Sequence, residues 1–333
     1  MAFPAASFDL LRAEGHVAAP PIEPGRIVDL ICLLAAVGRG DLSVGRIYEG
    51  HVNALWLIER FGDAGQRRQF AAIAERGGLF GVWNTDLPSD PLRLDDAVLS
   101  GAKNFASGID GLSRAIVTVP TAGGRQMIVV PVDRLAVDRR WWRPVGMQAS
   151  GSHIASFGQL AVEPDWMLGP PDAYIRQPWF SGGAIRFAAV QTGGAHAVLD
   201  ATVSHLRQTG RDGDPYQLHR IGRIGLAVGT AYRWLDLSAR AWMGAHQETD
   251  GASERLQATA NAARTAVECA AMTVLEEAER GVGAAGFIAP HPLERLIRDL
   301  RTYLRQPNPD GALAAFGRAV ADGDWTPGML DGD

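Results

Sequence analysis

Five stretches carry side chains whose types and spacing could do chemistry. GVGAAG, Gly281–Gly286, has the GxGxxG spacing that can cradle a dinucleotide phosphate. That chemistry needs a strand before the loop and a helix starting inside it. Here a helical pattern precedes the loop and FIAPHP follows, so a flexible helix-to-helix loop is expected instead. KNFASGID, Lys103–Asp110, sets an aromatic, a hydroxyl and a glycine at a strand end; taken alone it reads as a strand entering a turn. VWNTDLPSD, Val82–Asp90, is a strand giving way to a polar, proline-containing loop, a place where function often sits. GMQASGSH, Gly146–His153, is rich in glycine and serine. Its spacing builds no Ser-His-Asp nucleophile–base set, and His153 reads as a turn residue or a satisfied partner. RDLRTYLRQPNPD, Arg298–Asp310, places Arg298, Arg301 and Arg305 ahead of two prolines. Cations are favoured near a helix C-terminus, and Arg298 with Asp299 reads as a structural pair.

Composition bounds the chemistry. The chain has 333 residues, enough for two domains or one large multi-layer domain. Lys plus Arg is 32 and Asp plus Glu is 37, a net charge of −5 that argues against non-specific nucleic-acid binding. Cys32 and Cys269 lie in helical patterns, so no disulfide framework is expected and a cytoplasmic location fits. The eight histidines show no metal-ligand spacing, and no metal is expected. The N-terminus has no signal-peptide pattern, and the apolar run around IVDLICLLAAVG is too short to span a membrane.

Three zones must position these stretches. Residues 1–78 have helical periodicity, as in IVDLICLLAAVGRGD and HVNALWLIERFG, with Asp41 and Ser43 as caps. Residues 79–170 hold short β-rich runs (LFGVWNT, AVLSGAKNFAS, RAIVTVP, RQMIVVPV, ASFGQLAVE) with no helix between them. An antiparallel sheet or small β-barrel is therefore expected over a parallel sheet. Residues 171–333 return to long helical segments. One carries a stripe of Leu218, Ile221, Ile224, Val228, Tyr232 and Leu235; the next carries Leu256, Ala260, Ala263, Val267, Ala271 and Val274. The expected class is α+β multi-layer: an N-terminal helical domain, a middle β domain and a C-terminal four-helix bundle.

Taken in order, these pieces resemble the acyl-CoA dehydrogenase superfamily of flavoproteins over residues 35–320. The resemblance implies an FAD site, with FMN as the alternative, in a homodimer or homotetramer acting on an acyl thioester. It also implies a possible electron-transfer partner. GAKNFASG is similar to the strand whose aromatic and hydroxyl contact the flavin ring, which points to Phe105 and Ser107. FGVWNTDLPSD is similar to a strand and loop in which a Thr bonds the flavin and a Ser faces the thioester; here Trp83 and Ser89 stand there. The GMQAS segment resembles the family's Gly-Met-x-x-Ser. LRQTGRDGDPYQLHRI resembles a stretch reaching the pyrophosphate and adenine of a neighbouring subunit's FAD, through Arg207 and Gln217. The glycine loop resembles one lining the cofactor, through Gly283, Gly286 and Phe287.

The family's usual base is a Glu seven residues beyond Arg-Asp, and a second branch keeps one just before an Arg on the first bundle helix. Those places hold Pro307 and Ile185, with Asp310 the nearest carboxylate in sequence to the first. The N-terminal domain is also short for the family. RDLRT is similar to the motif of a related flavin monooxygenase branch, whose histidines are here Tyr303 and Gln306. Three readings stand: dehydrogenation of an acyl thioester, placed first because the scaffold is most often used that way; flavin-dependent monooxygenation, with Ser107 as the hydroxyl near flavin N5; and a non-catalytic flavin- or acyl-binding relative.

Overall fold

A computed structural model describes residues 2–177, 179–245, 252–306 and 308–328. In chain order the helices α1 (Ala5–Ala13), α2 (Ile27–Gly40), α3 (Leu42–Phe61) and α4 (Ala64–Glu75) come first. The strands follow: β1 (Phe80–Trp83), β2 (Arg93–Asp95), β3 (Val98–Ser100), β4 (Ala102–Ala106), β5 (Arg114–Thr121), β6 (Gly124–Pro131), β7 (Ala136–Asp138), β8 (His153–Ser156), β9 (Leu160–Ala161) and β10 (Met167–Leu168). Helices α5 (Ser181–Gln208), α6 (Pro215–Ala245), α7 (Ala252–Val282), α8 (Pro292–Tyr303) and α9 (Pro309–Asp322) complete the chain. They form two compact units, one of residues 2–22 and 41–176, the other of residues 23–40 and the described residues from 177 onward.

In the first unit, local chemistry sets the helix starts. The Asp41 carboxylate accepts from the Val44 amide at 2.9 Å and begins α3. Asp63 and Gln66 form a reciprocal capping box on α4. Ser43, the other expected cap, is instead buried inside α3.

The strands do not close a barrel. Among the described residues they form three small sheets, ordered β1-β5-β6-β10, β2-β3-β9 and β4-β8-β7. Nor is the pairing wholly antiparallel: β1 lies parallel to β5, Phe80 opposite Arg114 and Trp83 opposite Val117. The connection from β1 to β5 is long and passes through three strands, which leaves room for the parallel return that a tight turn cannot make. By contrast, β5 and β6 pair antiparallel, as a sheet of such runs was expected to, across a turn from Thr121 to Gly124, where Gly124 takes φ 122°.

His51 of α3 ties helix to sheet inside this unit. It is fully buried; Nε2 donates to the Val17 carbonyl (2.8 Å) and Nδ1 accepts from the Phe80 amide (3.1 Å). Both ring positions are therefore committed to the neutral form. Burial pushes its pKa down from 6.5 to about 4. The unfolded chain thus takes up the proton at higher pH than the folded one. The stabilisation is complete above about pH 6.5 and is lost as pH falls toward 4. Denaturant unfolding of the wild type should lose about 1.4 kcal/mol per pH unit more steeply in that window than His51→Gln. Equal slopes would remove His51 as the cause.

The second unit is helical. All six positions of the α7 stripe, from Leu256 to Val274, are buried as the periodicity predicts. On α6 the buried face carries Ile224, Val228 and Leu235, but Leu218 is 53% exposed. The face is completed by small residues, Ala227, Ala231 and Ser238, because α6 packs closely along α7 and α5. Helix α2 also packs on α5 in this unit. Gly38 and Gly193 sit at that crossing; a Cβ on Gly193 would lie 2.0 Å from the Ala35 carbonyl oxygen, and one on Gly38 2.3 Å from that of Val190. No side chain fits between the two backbones. Among the described residues, no helix is long and apolar enough to cross a membrane.

Candidate functional site

The end of β4 gathers the residues with most chemical potential. β4 pairs with β8, but the register shifts between Lys103 and Ala106, so a bulge interrupts the ladder there. Phe105 takes φ 52° in the bulge, a left-handed backbone that is uncommon for a non-glycine residue. The residue is 41% exposed, and its ring stands edge-on to Trp141 (centroids 5.0 Å, 85°) and Trp142 (6.1 Å, 83°). Behind the bulge, Lys103 is fully buried. Its Nζ donates to Asp86 (2.6 Å) and to the carbonyls of Thr118 (2.6 Å) and Asn84 (3.1 Å). Burial lowers its pKa, and Asp86 opposes that shift. The ammonium locks β4 to its neighbours beneath the bulge.

Ser107 follows directly. Its amide donates to the Phe105 carbonyl (2.8 Å), a tight turn around Ala106. The indole Nε1 of Trp83 donates to the Ser107 carbonyl (3.2 Å), and the Gly108 amide donates to the Ser150 carbonyl (2.7 Å). The backbone carrying the hydroxyl is thus fixed from both sides. The hydroxyl joins a chain: Ser107 Oγ to Ser152 Oγ is 2.7 Å, and Ser152 Oγ to Ser150 Oγ is 2.9 Å. Ser150 donates its proton to the Met147 carbonyl at 2.8 Å. All three serines are buried, at 8%, 3% and 2% exposure. Met147 and Gly151 adopt left-handed backbone (φ 59° and 48°) to turn the segment into this position.

His153, the first residue of β8, has different partners from Ser152. Its Nε2 meets Asp110 at 3.1 Å, and Arg139 grips the same carboxylate at 2.7 and 2.9 Å. It partners Asp110 through Nε2 and is not a member of the hydroxyl chain, and its Nδ1 is buried without a partner.

The remaining candidates are more dispersed. Trp83 is 1% exposed, so it supports Ser107 from within the core. Ser89 is exposed in the loop after β1. In the second unit, Arg207 lies exposed in the last turn of α5, beside Ser204 and Gln208 on a groove of about 570 Å³. Gln217 is 5% exposed, packed within its own unit so that a Cβ on Gly281 would lie 3.1 Å from its Oε1. Gly283 takes φ 77° and begins a 3-10 turn to Phe287; Gly286 is buried and Phe287 is 52% exposed. Ile185 is fully buried in α5. Asp310 is exposed in the first turn of α9, and Pro307 lies outside the described residues. Among the described residues no three His, Cys, Asp or Glu side chains cluster as metal ligands would.

Two features escaped the sequence reading. One is the serine chain, whose only local signal is a Ser-Gly-Ser ahead of a strand. The other surrounds the end of α8. Gln191 donates to the carbonyls of Tyr303 and Gln306 (3.1 Å each), and Arg264 donates to those of Leu304 (2.7 Å) and Gln306 (3.2 Å). These are the orphan acceptors a helix leaves at its end. Arg264 also pairs with Glu268, which Arg305 shares.

Comparison with known proteins places this arrangement. Residues 185–305 match the family model for the acyl-CoA dehydrogenase C-terminal domain. Dibenzothiophene monooxygenase of Rhodococcus erythropolis is 23% identical over 328 residues, covering 87% of this chain and 79% of that protein. The fold is shared with TdsC of Paenibacillus sp. A11-2, solved with FMN and indole (TM-score 0.84, 17% identity, 97% of this chain and 91% of that one). It is shared too with butyryl-CoA dehydrogenase of Megasphaera elsdenii (TM-score 0.77, 18% identity, 89% and 82%). The family match thus covers the C-terminal helical region, and the fold is shared along nearly the whole chain.

Proposed function

We propose that this chain is a flavin-dependent monooxygenase of the acyl-CoA dehydrogenase fold, acting on a small planar heteroaromatic substrate. The observation that carries the reading is the buried hydroxyl chain ending in Ser107 beside the exposed Phe105. These are the two side chains the family resemblance assigns to the flavin ring. They fit it chemically: an aromatic face open to contact, and a hydroxyl with bonding capacity beyond Ser152. When bound, reduced flavin supplies the electrons that let O2 deliver one oxygen atom to the substrate and the other to water. The chain's part is to hold the ring against Phe105, to hold a proton at Ser107 Oγ, and to keep water from that hydroxyl by burial.

The relatives named as monooxygenases support this reading over dehydrogenation. So does the sequence at the two family base positions, since neither Ile185 nor Pro307 can accept an α-proton. The burial of Gln217 within its own unit supports FMN over FAD, because FAD would draw on that residue at a neighbour's adenine. Reduced flavin would come from a separate reductase, in a homodimer or homotetramer. Acyl-thioester dehydrogenation with FAD remains the second reading, favoured by the match at residues 185–305.

The test is oxygen uptake by the protein with FMN, a flavin reductase and NADH, against indole, dibenzothiophene and a panel of acyl-CoAs. An oxygenated product from a heterocycle is expected. Anaerobic bleaching of bound flavin by an acyl-CoA, with no product from any heterocycle, would transfer the assignment to dehydrogenation.

A further inference from the structure

Resting on the flavin reading, we infer that Ser152 and Ser150 are positioning residues that let Ser107 bond to flavin N5 in both of its redox states. Oxidised flavin presents a lone pair at N5 and needs a donor; two-electron-reduced flavin carries a proton on N5 and needs an acceptor. A single serine hydroxyl can do either, but its own proton must have somewhere to go when it accepts. In a buried site an unplaced hydroxyl proton is costly.

The geometry supplies that place. Ser150 spends its proton on the Met147 carbonyl at 2.8 Å, so toward Ser152 it can only accept. Ser152 therefore has two acceptors for one proton, Ser150 Oγ at 2.9 Å and Ser107 Oγ at 2.7 Å. When Ser152 donates to Ser107, the Ser107 proton is released to a ligand. When Ser152 donates to Ser150, Ser152 Oγ receives the Ser107 proton, and Ser107 turns acceptor. The two states differ by rotation of two O–H bonds, with no heavy atom displaced. Without Ser152, the Ser107 proton has only the Phe105 carbonyl at 3.5 Å, at the limit of a hydrogen bond. Losing Ser152 should therefore penalise the accepting state, the one that serves reduced flavin.

The experiment is anaerobic titration of wild type, Ser152→Ala, Ser152→Thr, Ser150→Ala and Ser107→Ala with FMN, oxidised and dithionite-reduced, following bound flavin by fluorescence and absorption. Ser152→Ala is expected to raise the Kd for reduced FMN about tenfold and that for oxidised FMN less than about twofold. A tenfold selective loss lowers the midpoint potential of bound flavin by about 30 mV. Ser150→Ala should move the ratio in the same direction by less, and provides the test if Ser152→Ala does not fold. Ser152→Thr should restore the wild-type ratio. Equal changes in the two redox states, or none, overturn the inference. If wild type binds FMN but Ser107→Ala alters neither affinity nor spectrum, the inference falls and flavin binding stands. If wild type binds no flavin in either state, the functional reading falls with it.

Discussion

Ser107→Ala is expected to lower product formation by about 100-fold while leaving the protein folded. The magnitude is that of removing one placed proton donor or acceptor from a reacting centre. Ser107 is the one member of the buried hydroxyl chain that the family resemblance puts against the flavin, and its backbone is held by Trp83 from one side and Ser150 from the other. Alanine therefore removes the hydroxyl without freeing the strand. The stability cost should be about 1 kcal/mol, the net worth of one buried hydrogen bond. Oxygen uptake should continue in the variant, with most of the oxygen appearing as hydrogen peroxide rather than in product. Ser107→Thr keeps the hydroxyl and should retain most of the activity. The ratio of product formed to oxygen consumed is the measurement; an unchanged ratio in Ser107→Ala would remove the hydroxyl from the chemistry.

The largest effect on stability is expected at Arg264. Its side chain is 1% exposed within the helical unit, pairs with Glu268, and donates to the carbonyls of Leu304 and Gln306. Arg264→Met keeps much of the volume but removes the charge and both carbonyl bonds. Glu268 still has Arg305, so its carboxylate is not stranded. The carbonyls lose their buried donor, and Gln191 reaches only one of them, that of Gln306. A loss of about 3 kcal/mol in unfolding free energy is expected. Gln191→Leu removes two weaker, uncharged contacts and should cost about half as much. Chemical denaturation measures both, and hydrogen exchange at residues 303–306 should accelerate in each. A loss below about 1 kcal/mol for Arg264→Met would show that the helix end is held by other contacts.

Both residues also show what a sequence can and cannot disclose. The α7 stripe was legible because burial on a helix repeats locally, and each of its six positions is buried. The strands β5 and β6 were legible as short β-rich runs bounded by turn residues, and they pair antiparallel. The parallel pairing of β1 with β5 was not, since it depends on a long connection rather than on neighbours. The α6 stripe was half legible: periodicity marks its apolar positions, but close packing gave the buried face to alanines and left Leu218 in solvent. At the site, the resemblance led to Phe105 and Ser107. It could not disclose Ser152 as the partner of Ser107, because a bulge and two left-handed residues bring them together across 45 positions. The carbonyl contacts of Arg264 are likewise made over 40 residues and leave no periodic trace.

The most direct test of the account is isotopic. With FMN, a flavin reductase, NADH and a heteroaromatic substrate turned over under ¹⁸O₂ in ordinary water, each oxygenation should place one ¹⁸O atom in the product. Product oxygen drawn from water, or turnover that proceeds without O2, would contradict the assignment as a monooxygenase.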